Sequence, residues 1–167
     1  MQIGQLFPPS LRVTIRSSIQ EKGKHMKNQI TEKIRASFAA QTMLSTLGAQ
    51  LDQIAQGRVS ITAPVLKHAL QQHGFAHAGM TFSLGDSAAG YAALSVMDLA
   101  DEVLTAEMKI NLLAPAQGSL MRATGRVIKP GRRLIVVSAE VHVVSDGVEK
   151  LVAVLQGTMV PVTAPAA

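Results

Sequence analysis

One aspartate lies inside an otherwise apolar stretch of the sequence. Gly79 to Met97 is nineteen residues long and carries a single charged side chain, Asp86. An ionised carboxylate in apolar surroundings costs several kcal/mol unless it is paired or placed beside a cavity. Two interpretations of Asp86 are therefore open: an architectural group hydrogen-bonded to loop backbone, or a general base or nucleophile at a reactive site.

Small residues precede this aspartate where a helix is expected to begin. His77 and Ala78 come directly before the stretch, and Gly79 is its first residue. The first N–H groups of a helix have no partner inside it. Together with the positive end of the helix dipole, they can stabilise an oxyanion. An Ala-Gly pair at a helix start is also typical of an ordinary loop end, and the ring of His77 either holds that loop or faces the site.

The composition excludes several kinds of chemistry. The chain has no cysteine, which rules out disulfides, thiolate zinc sites and cysteine nucleophiles. No pair of histidines stands with a carboxylate at metal spacing, so we expect no metal. The lack of cysteine agrees with a reducing, cytoplasmic location. No segment reaches the roughly 18 apolar residues that a membrane span needs, so we expect no membrane partner.

The positive charge is concentrated near the amino terminus. The chain has 16 basic and 11 acidic side chains, a net charge of +5. Residues 1–35 hold seven of the basic and two of the acidic groups, so the rest of the chain balances at nine of each. Only 3% of the residues are aromatic and available for base stacking, and we expect no nucleic-acid partner.

The stretch around Asp86 is predicted to be a buried helix, because it is long and apolar on every side. Residues 101–163 can wrap it, since their apolar residues alternate with the period of a strand. Turns between the resulting antiparallel strands are expected at residues 114–115, 130–131 and 146–147. The residues predicted to share inward faces are Met108, Ile110 and Leu112; Met121, Ala123, Gly125 and Val127; Ile135, Val137, Ala139, Val141 and Val143; and Leu151, Ala153, Leu155 and Met159.

The sequence before this helix adds a second helix and a hairpin. Ile30, Ile34 and Phe38 recur at helical spacing and predict a surface helix from Lys27 to about Gly48. Residues 50–64 predict two strands around a turn at 56–58. Residues 1–25 are expected to be a basic extension outside the fold, followed by a domain at 26–163 and a frayed tail at 164–167. The predicted class is α+β, with a curved antiparallel sheet wrapped around one long central helix.

Three segments resemble a known family. The sequence HAGMTFSLGDSAAGYA, residues 77–92, is similar to the helix motif of PaaI-like hotdog-fold thioesterases, in which His-Gly-Gly is followed by an apolar turn and an aspartate. TAEMKINLLAPA, residues 105–116, is similar to a strand of that family that ends in a Pro-Ala turn. GRVIKPGRRLIV, residues 125–136, and the final GTMV continue the match, which covers residues 27–161. The resemblance implies the hotdog fold and hydrolysis of an acyl-CoA to a free acid and coenzyme A.

The resemblance also assigns roles to individual residues. The amide of Ala78, with Gly79 at the helix start, would polarise the thioester carbonyl, while Asp86 would act as general base for water or as nucleophile. Gln71 would help to orient water or substrate, and the Thr105 hydroxyl would face the carboxylate. Ala78 departs from the family's first glycine; its N–H remains available, while its methyl group takes up space that the glycine leaves open.

The family builds its site from two subunits, so the resemblance implies a homodimer at minimum and a homotetramer as the larger assembly. It implies no cofactor, because coenzyme A is part of the substrate. A basic group in the matched region either binds the phosphates of coenzyme A or forms a solvated edge; it consists of Arg122, Arg126, Lys129, Arg132 and Arg133. Two other interpretations remain open: a non-catalytic hotdog module that binds acyl-CoA, and a hotdog hydratase or dehydratase that pairs His77 with Asp86.

Overall fold

Three helices and six strands occupy residues 9–163, the part of the chain that the computed structural model describes. The helices are α1 (Pro9–Ala39), α2 (Thr42–Thr46) and α3 (Ala78–Leu94), with a short 3-10 turn at Lys67–Ala69. The strands are β1 (Gln50–Ala55), β2 (Arg58–Pro64), β3 (Asp101–Leu112), β4 (Leu120–Lys129), β5 (Ile135–Ser145) and β6 (Val148–Thr163). The first eight residues of the predicted extension and the predicted tail at 164–167 lie outside the described residues.

The strands form one antiparallel sheet in the order β1-β2-β4-β5-β6-β3. Helix α3 contacts β2, β3, β4, β5 and β6, so the sheet wraps around it and the predicted α+β class is confirmed. The two approach closely at Gly125 on β4, where a Cβ atom would lie 2.2 Å from the carbonyl oxygen of Ala88. The backbone of α3 therefore rests directly on β4, which only a glycine at this position permits.

Apolar side chains at alternate positions of the strands fill the space between the sheet and α3, as the sequence predicts. The inward residues of β5, from Ile135 to Val143, are all buried, and so are Val59 and Ile61 on β2. The turn between β5 and β6 consists of Asp146 and Gly147, with φ angles of 52° and 78°. Two successive positive angles are those of a type I′ hairpin turn, whose twist matches that of the strands it joins.

Two details of the predicted sheet are wrong. β3 and β4 are not neighbours, because β5 and β6 lie between them, so the segment around Pro115 connects separated strands. On β6 the predicted inward residue Leu151 is half-buried, whereas Val152 is 1% exposed. The cause is a β-bulge opposite Val141 and His142, where the register shifts and the extra residue reverses the alternation of β6.

The amino-terminal helix differs from its prediction at both ends. α1 begins at Pro9, a residue suited to the first helical position because it has no N–H to lose there and a helical φ. It ends at Ala39 rather than near Gly48 and runs across the predicted domain start at residue 26. Ile30 and Ile34 are buried, while the described side chains of residues 21–29 are exposed. Within the described chain, no helix is both long and apolar enough to cross a membrane.

Candidate active site

Asp86 on α3 and Thr105 on β3 are joined by a hydrogen bond. Thr105 Oγ1 donates to Asp86 Oδ1 at 2.8 Å and also lies 3.4 Å from the sulfur of Met159. The pair borders a cavity of about 150 Å³. Among the described residues, the Thr105 hydroxyl is the one hydrogen-bond partner of the Asp86 carboxylate. A carboxylate tied to loop backbone, the first interpretation of Asp86, is therefore not what the structure contains.

The surroundings of Asp86 make its carboxylate more basic. Burial raises the pKa of Asp86 above the ordinary value for an aspartate, and the hydrogen bond from Thr105 partly lowers it again. The first effect arises because a low-dielectric environment disfavours the charged form; the second arises because a donor stabilises the ionised form. A carboxylate with a raised pKa accepts a proton more readily, which suits a general base.

A β-bulge gives Thr105 its direction. The register between β3 and β6 shifts between Thr105 and Glu107, so Ala106 is an extra residue on β3. Strict alternation would turn Thr105 to the face opposite Met108 and Ile110, both of which pack against the core. Because of the extra residue, Thr105 and Met108 both point towards α3, and the hydroxyl reaches Asp86.

Polar side chains surround the rest of this cavity. Gln41 Nε2 donates to the hydroxyl of Tyr91 at 2.6 Å, and Ser37 Oγ lies 3.3 Å from the same hydroxyl. Burial raises the pKa of Tyr91, which keeps it a neutral phenol. These three residues line the cavity, and sequence analysis missed them. Ser37 and Gln41 precede Tyr91 by 54 and 50 residues, and no local spacing connects them to it.

An ion pair fixes the wall formed by α1 and β3. Lys33 Nζ lies 3.0 Å from Glu102, a residue that lines the Asp86 cavity. The same ammonium group donates to the carbonyl of Leu99 at 3.0 Å and to the carbonyl of Asp101. Three contacts from the Lys33 side chain therefore hold α1 against the beginning of β3. They also fix the position of Glu102 at the edge of the cavity beside Asp86.

The start of α3 forms a second polar feature. His77 is the N-cap residue, and its Nδ1 accepts a hydrogen bond from the N–H of Gly79 at 2.9 Å. The N–H of Ala78 donates to no acceptor among the described residues, and Ala78 is exposed. Of the two predicted oxyanion donors, Gly79 is engaged in capping and Ala78 is available to a ligand. The ring of His77 therefore caps α3 through Nδ1.

Gln71 and Ala78 border the same cavity, of about 390 Å³, together with Phe75 and Thr81. Gln71 Oε1 accepts a hydrogen bond from the backbone N–H of His73, which shapes the turn ahead of α3. Neither Gln71 nor Ala78 borders the cavity beside Asp86. The predicted residues therefore fall into two separate groups in one protomer, one at the start of α3 and one at its middle.

The predicted basic group also divides in two. Arg122 forms ion pairs with Asp52 and, at 3.0 Å, with Glu149, so its charge is compensated. The other four members are exposed, and none of them forms an ion pair among the described residues: Arg126, Lys129, Arg132 and Arg133. Arg58, which sequence analysis did not single out, lies directly opposite Arg126 in the sheet. Facing like charges are unfavourable unless an anion lies between them.

The fold and the site define a class of protein. A six-stranded antiparallel sheet around one helix, with a carboxylate at the middle of that helix and a free amide at its start, is the hotdog fold carrying residues suited to acyl hydrolysis. Within residues 9–163, no group of three or more histidine or acidic side chains is placed to bind a metal ion.

Comparison with known proteins identifies the family. Residues 73–150 match the family model of the thioesterase superfamily. A Saccharolobus solfataricus protein whose name gives it as a putative esterase is 32% identical over 101 residues, which are 60% of this chain and 71% of that protein. The crystal structure of a thioesterase family protein from Silicibacter pomeroyi is 41% identical with a TM-score of 0.79, covering 81% of this chain and 99% of that one. The chain belongs to the thioesterase superfamily.

The PaaI protein of E. coli, from the phenylacetic acid degradation operon, has the same fold. Its TM-score is 0.73 at 23% identity, with 82% of this chain and 96% of that chain covered. Identity at this level supports the fold alone, so the finer resemblance to the PaaI-like branch stays a prediction.

Proposed function

We propose that this chain is an acyl-CoA thioesterase of the PaaI-like branch, which hydrolyses an acyl-CoA to the free acid and coenzyme A. The observation that carries the proposal is the Asp86 carboxylate. It is half-buried beside a cavity, its pKa is raised, and it accepts a hydrogen bond from Thr105. Membership of the thioesterase superfamily supports a hydrolytic role for such a group.

The proposed reaction uses the two polar features of α3. The N–H of Ala78 and the positive end of the helix dipole polarise the thioester carbonyl and stabilise the oxyanion that forms from it. Asp86 either takes a proton from the water that attacks the carbonyl carbon or attacks that carbon itself. In both cases a carbon–oxygen bond replaces the carbon–sulfur bond, and the sulfur leaves as the thiol of coenzyme A.

We propose that two copies of the chain form one site, with a homodimer as the smallest assembly and a homotetramer as the larger one. β3 is an edge strand of twelve residues, and an uncovered edge of this length favours pairing with another strand. Leu104 on this strand is 57% exposed, and Leu112, predicted to face inward, is 55% exposed. Pairing of two β3 strands would cover both the edge and these side chains.

We propose that the four unpaired members of the basic group bind the phosphates of coenzyme A. Arg126, Lys129, Arg132 and Arg133 lie on β4 and the turn that follows it. Guanidinium groups are suited to phosphate because they donate two parallel hydrogen bonds. The cytoplasmic location expected from the sequence is part of the same proposal.

The test is thioester hydrolysis, followed with a thiol reagent across aryl, short, medium and long acyl-CoAs. We expect the unmodified protein to release coenzyme A from at least one of them and Asp86→Asn to be slower by about a hundredfold or more. Asp98→Asn, a change at an exposed aspartate, is the control and should leave the rate unchanged. Equal low rates in the unmodified protein and Asp86→Asn would instead indicate a module that binds acyl-CoA without hydrolysing it.

A further inference from the structure

The bulge beside Thr105 depends on the strand that faces it. On β3, Thr105 and Met108 are three residues apart, whereas on β6 their partners Met159 and Gly157 are two residues apart. The additional length of β3 is taken up at Ala106 and Glu107, where the backbone arches away from regular pairing. On β6, Thr158 pairs with Glu107, and Gly157 pairs with Met108, the first residue after the bulge.

Gly157 leaves space that any other residue would fill. A Cβ atom built on Gly157 would lie 2.3 Å from the carbonyl oxygen of Glu107 and 2.9 Å from the sulfur of Met108. The sulfur belongs to a flexible side chain and can move aside. The carbonyl oxygen belongs to Glu107, the residue that follows the extra residue Ala106, so a side chain at position 157 must displace the backbone of β3 two residues from Thr105.

We propose that Gly157 is a positioning residue of the active site, which holds Thr105 in hydrogen-bonding contact with Asp86 by leaving room for the bulge of β3. The inference rests on the proposed function, in which Asp86 is the catalytic carboxylate. Gly157 itself touches neither reacting group; it acts through the backbone of Glu107 and the direction that the bulge gives to Thr105.

The expected effect has a definite sign. Because the hydrogen bond from Thr105 favours the ionised form of Asp86, its loss raises the pKa of the carboxylate. Gly157→Ala should therefore move the acidic limb of the kcat/KM profile to higher pH, in the same direction as Thr105→Val. On that limb kcat/KM should fall by about tenfold, the magnitude of a hydrogen bond to a charged group.

The decisive measurement is a double-mutant cycle. If Gly157 acts through Thr105, Gly157→Ala in the Thr105→Val background should cause no further shift of the acidic limb. Gly118→Ala is the matched control, since its Cβ would lie 2.5 Å from the carbonyl oxygen of Val144, away from Thr105. It should keep the limb of the unmodified protein even if it lowers stability. An unshifted limb in Gly157→Ala, or additive shifts in the double variant, would overturn the inference.

A second comparison tests the inference if the Gly157→Ala protein folds poorly. Deleting Ala106 removes the bulge without adding any atom, so Gly157→Ala should lower Tm less in the deletion background than in the natural chain. An equal loss of Tm in both backgrounds would show that the bulge is not what Gly157 accommodates.

A third measurement separates this inference from the proposed function. NMR titration of the Asp86 carboxyl carbon, assigned with Asp86→Asn, reports the pKa without any turnover. A protein that hydrolyses no acyl-CoA would defeat the proposed function. A raised pKa of Asp86 in Gly157→Ala would still support the positioning role, and an unchanged pKa would refute it.

Discussion

Ala78 and Asp86 lie on the same helix about 12 Å apart along its axis, because they are eight residues apart and an α-helix rises about 1.5 Å per residue. A hydrogen bond to the oxyanion requires about 3 Å, and a carboxylate acting through one water reaches little further. The amide and the carboxylate of one protomer are therefore too far apart to act on the same carbonyl carbon. We therefore expect a site that uses both groups to be built from two copies of the chain.

Mixed dimers test this relationship. Ala78→Pro removes the N–H at the first helical position, where proline is well tolerated, and should slow hydrolysis by about a hundredfold or more. Asp86→Asn removes the base. When the two inactive variants are mixed and allowed to exchange subunits, one site in every mixed dimer regains both groups. We expect the mixture to recover about a quarter of the unmodified activity, the share of intact sites in random pairing of two subunit types.

Each variant incubated with itself is the control for this experiment. Ala78→Gly, which keeps the N–H and restores the family residue, should remain active. A mixture no more active than its separate components, in a sample shown to contain mixed dimers, would indicate that the Ala78 amide and Asp86 do not share a site.

A second prediction concerns the stability cost of the ionised Asp86. Since burial raises the native pKa of this carboxyl, folding favours its protonated form. The resulting stability is fully present below the unfolded-state pKa and is lost as the pH rises through the raised native pKa. Asp86→Asn cannot ionise and still offers Thr105 an acceptor, so its Tm should exceed that of the unmodified protein at neutral pH and approach it in acid.

Calorimetry at a series of pH values measures this difference. Asp98→Asn, at an exposed position, serves as the reference for a change of charge without burial. A lower Tm for Asp86→Asn at neutral pH would mean that the ionised carboxylate stabilises the fold, contrary to the burial described above.

Much of the fold follows from periodicity in the sequence. The alternation from Ile135 to Val143 predicts a strand with a buried face, and the burial of these residues agrees with it. Bulges at Ala106 and Val152 are not predictable in this way, because they depend on the register of two strands rather than on one. Strand order is a further limit: the short connection between β3 and β4 suggests neighbours, yet the strands are separated in the sheet.

The site residues also divide into those that a local sequence pattern identifies and those that depend on tertiary contacts. An isolated charge in an apolar helix identifies Asp86 from the sequence, because its burial needs an explanation. The polar wall formed by Ser37, Gln41 and Tyr91 depends on tertiary contacts over 50 residues or more, so no local pattern reveals it. Arg122 is the opposite case, because the sequence places it in the basic group although its charge is compensated. Its ion pairs with Asp52 and Glu149 depend on how the strands pair.

A third prediction separates the two parts of the basic group. Arg132→Gln and Arg133→Gln should each raise KM for an acyl-CoA by about twofold to fivefold, the usual magnitude for an exposed charge pair, and less at high salt because of screening. Neither should change KM for the matching acyl-pantetheine, which lacks the nucleotide phosphates. Arg122→Gln is the control, since its charge is compensated by Asp52 and Glu149. Equal KM increases for both substrates would show that these arginines do not bind the phosphates.

The last prediction tests how closely α3 rests on β4. In Gly125→Ala the new methyl carbon would lie 2.2 Å from the carbonyl oxygen of Ala88 and 2.4 Å from the nitrogen of Ala89. Both atoms are backbone, so α3 must move, and the free energy of unfolding should fall by about 2 kcal/mol. Gly90→Ala is the matched substitution, because a Cβ there meets nothing within 4 Å. In a helix interior, alanine is more stabilising than glycine by about 0.5–1 kcal/mol. Denaturant unfolding should therefore give opposite signs for the two variants, and equal destabilisation would indicate that α3 does not lie against β4 as described.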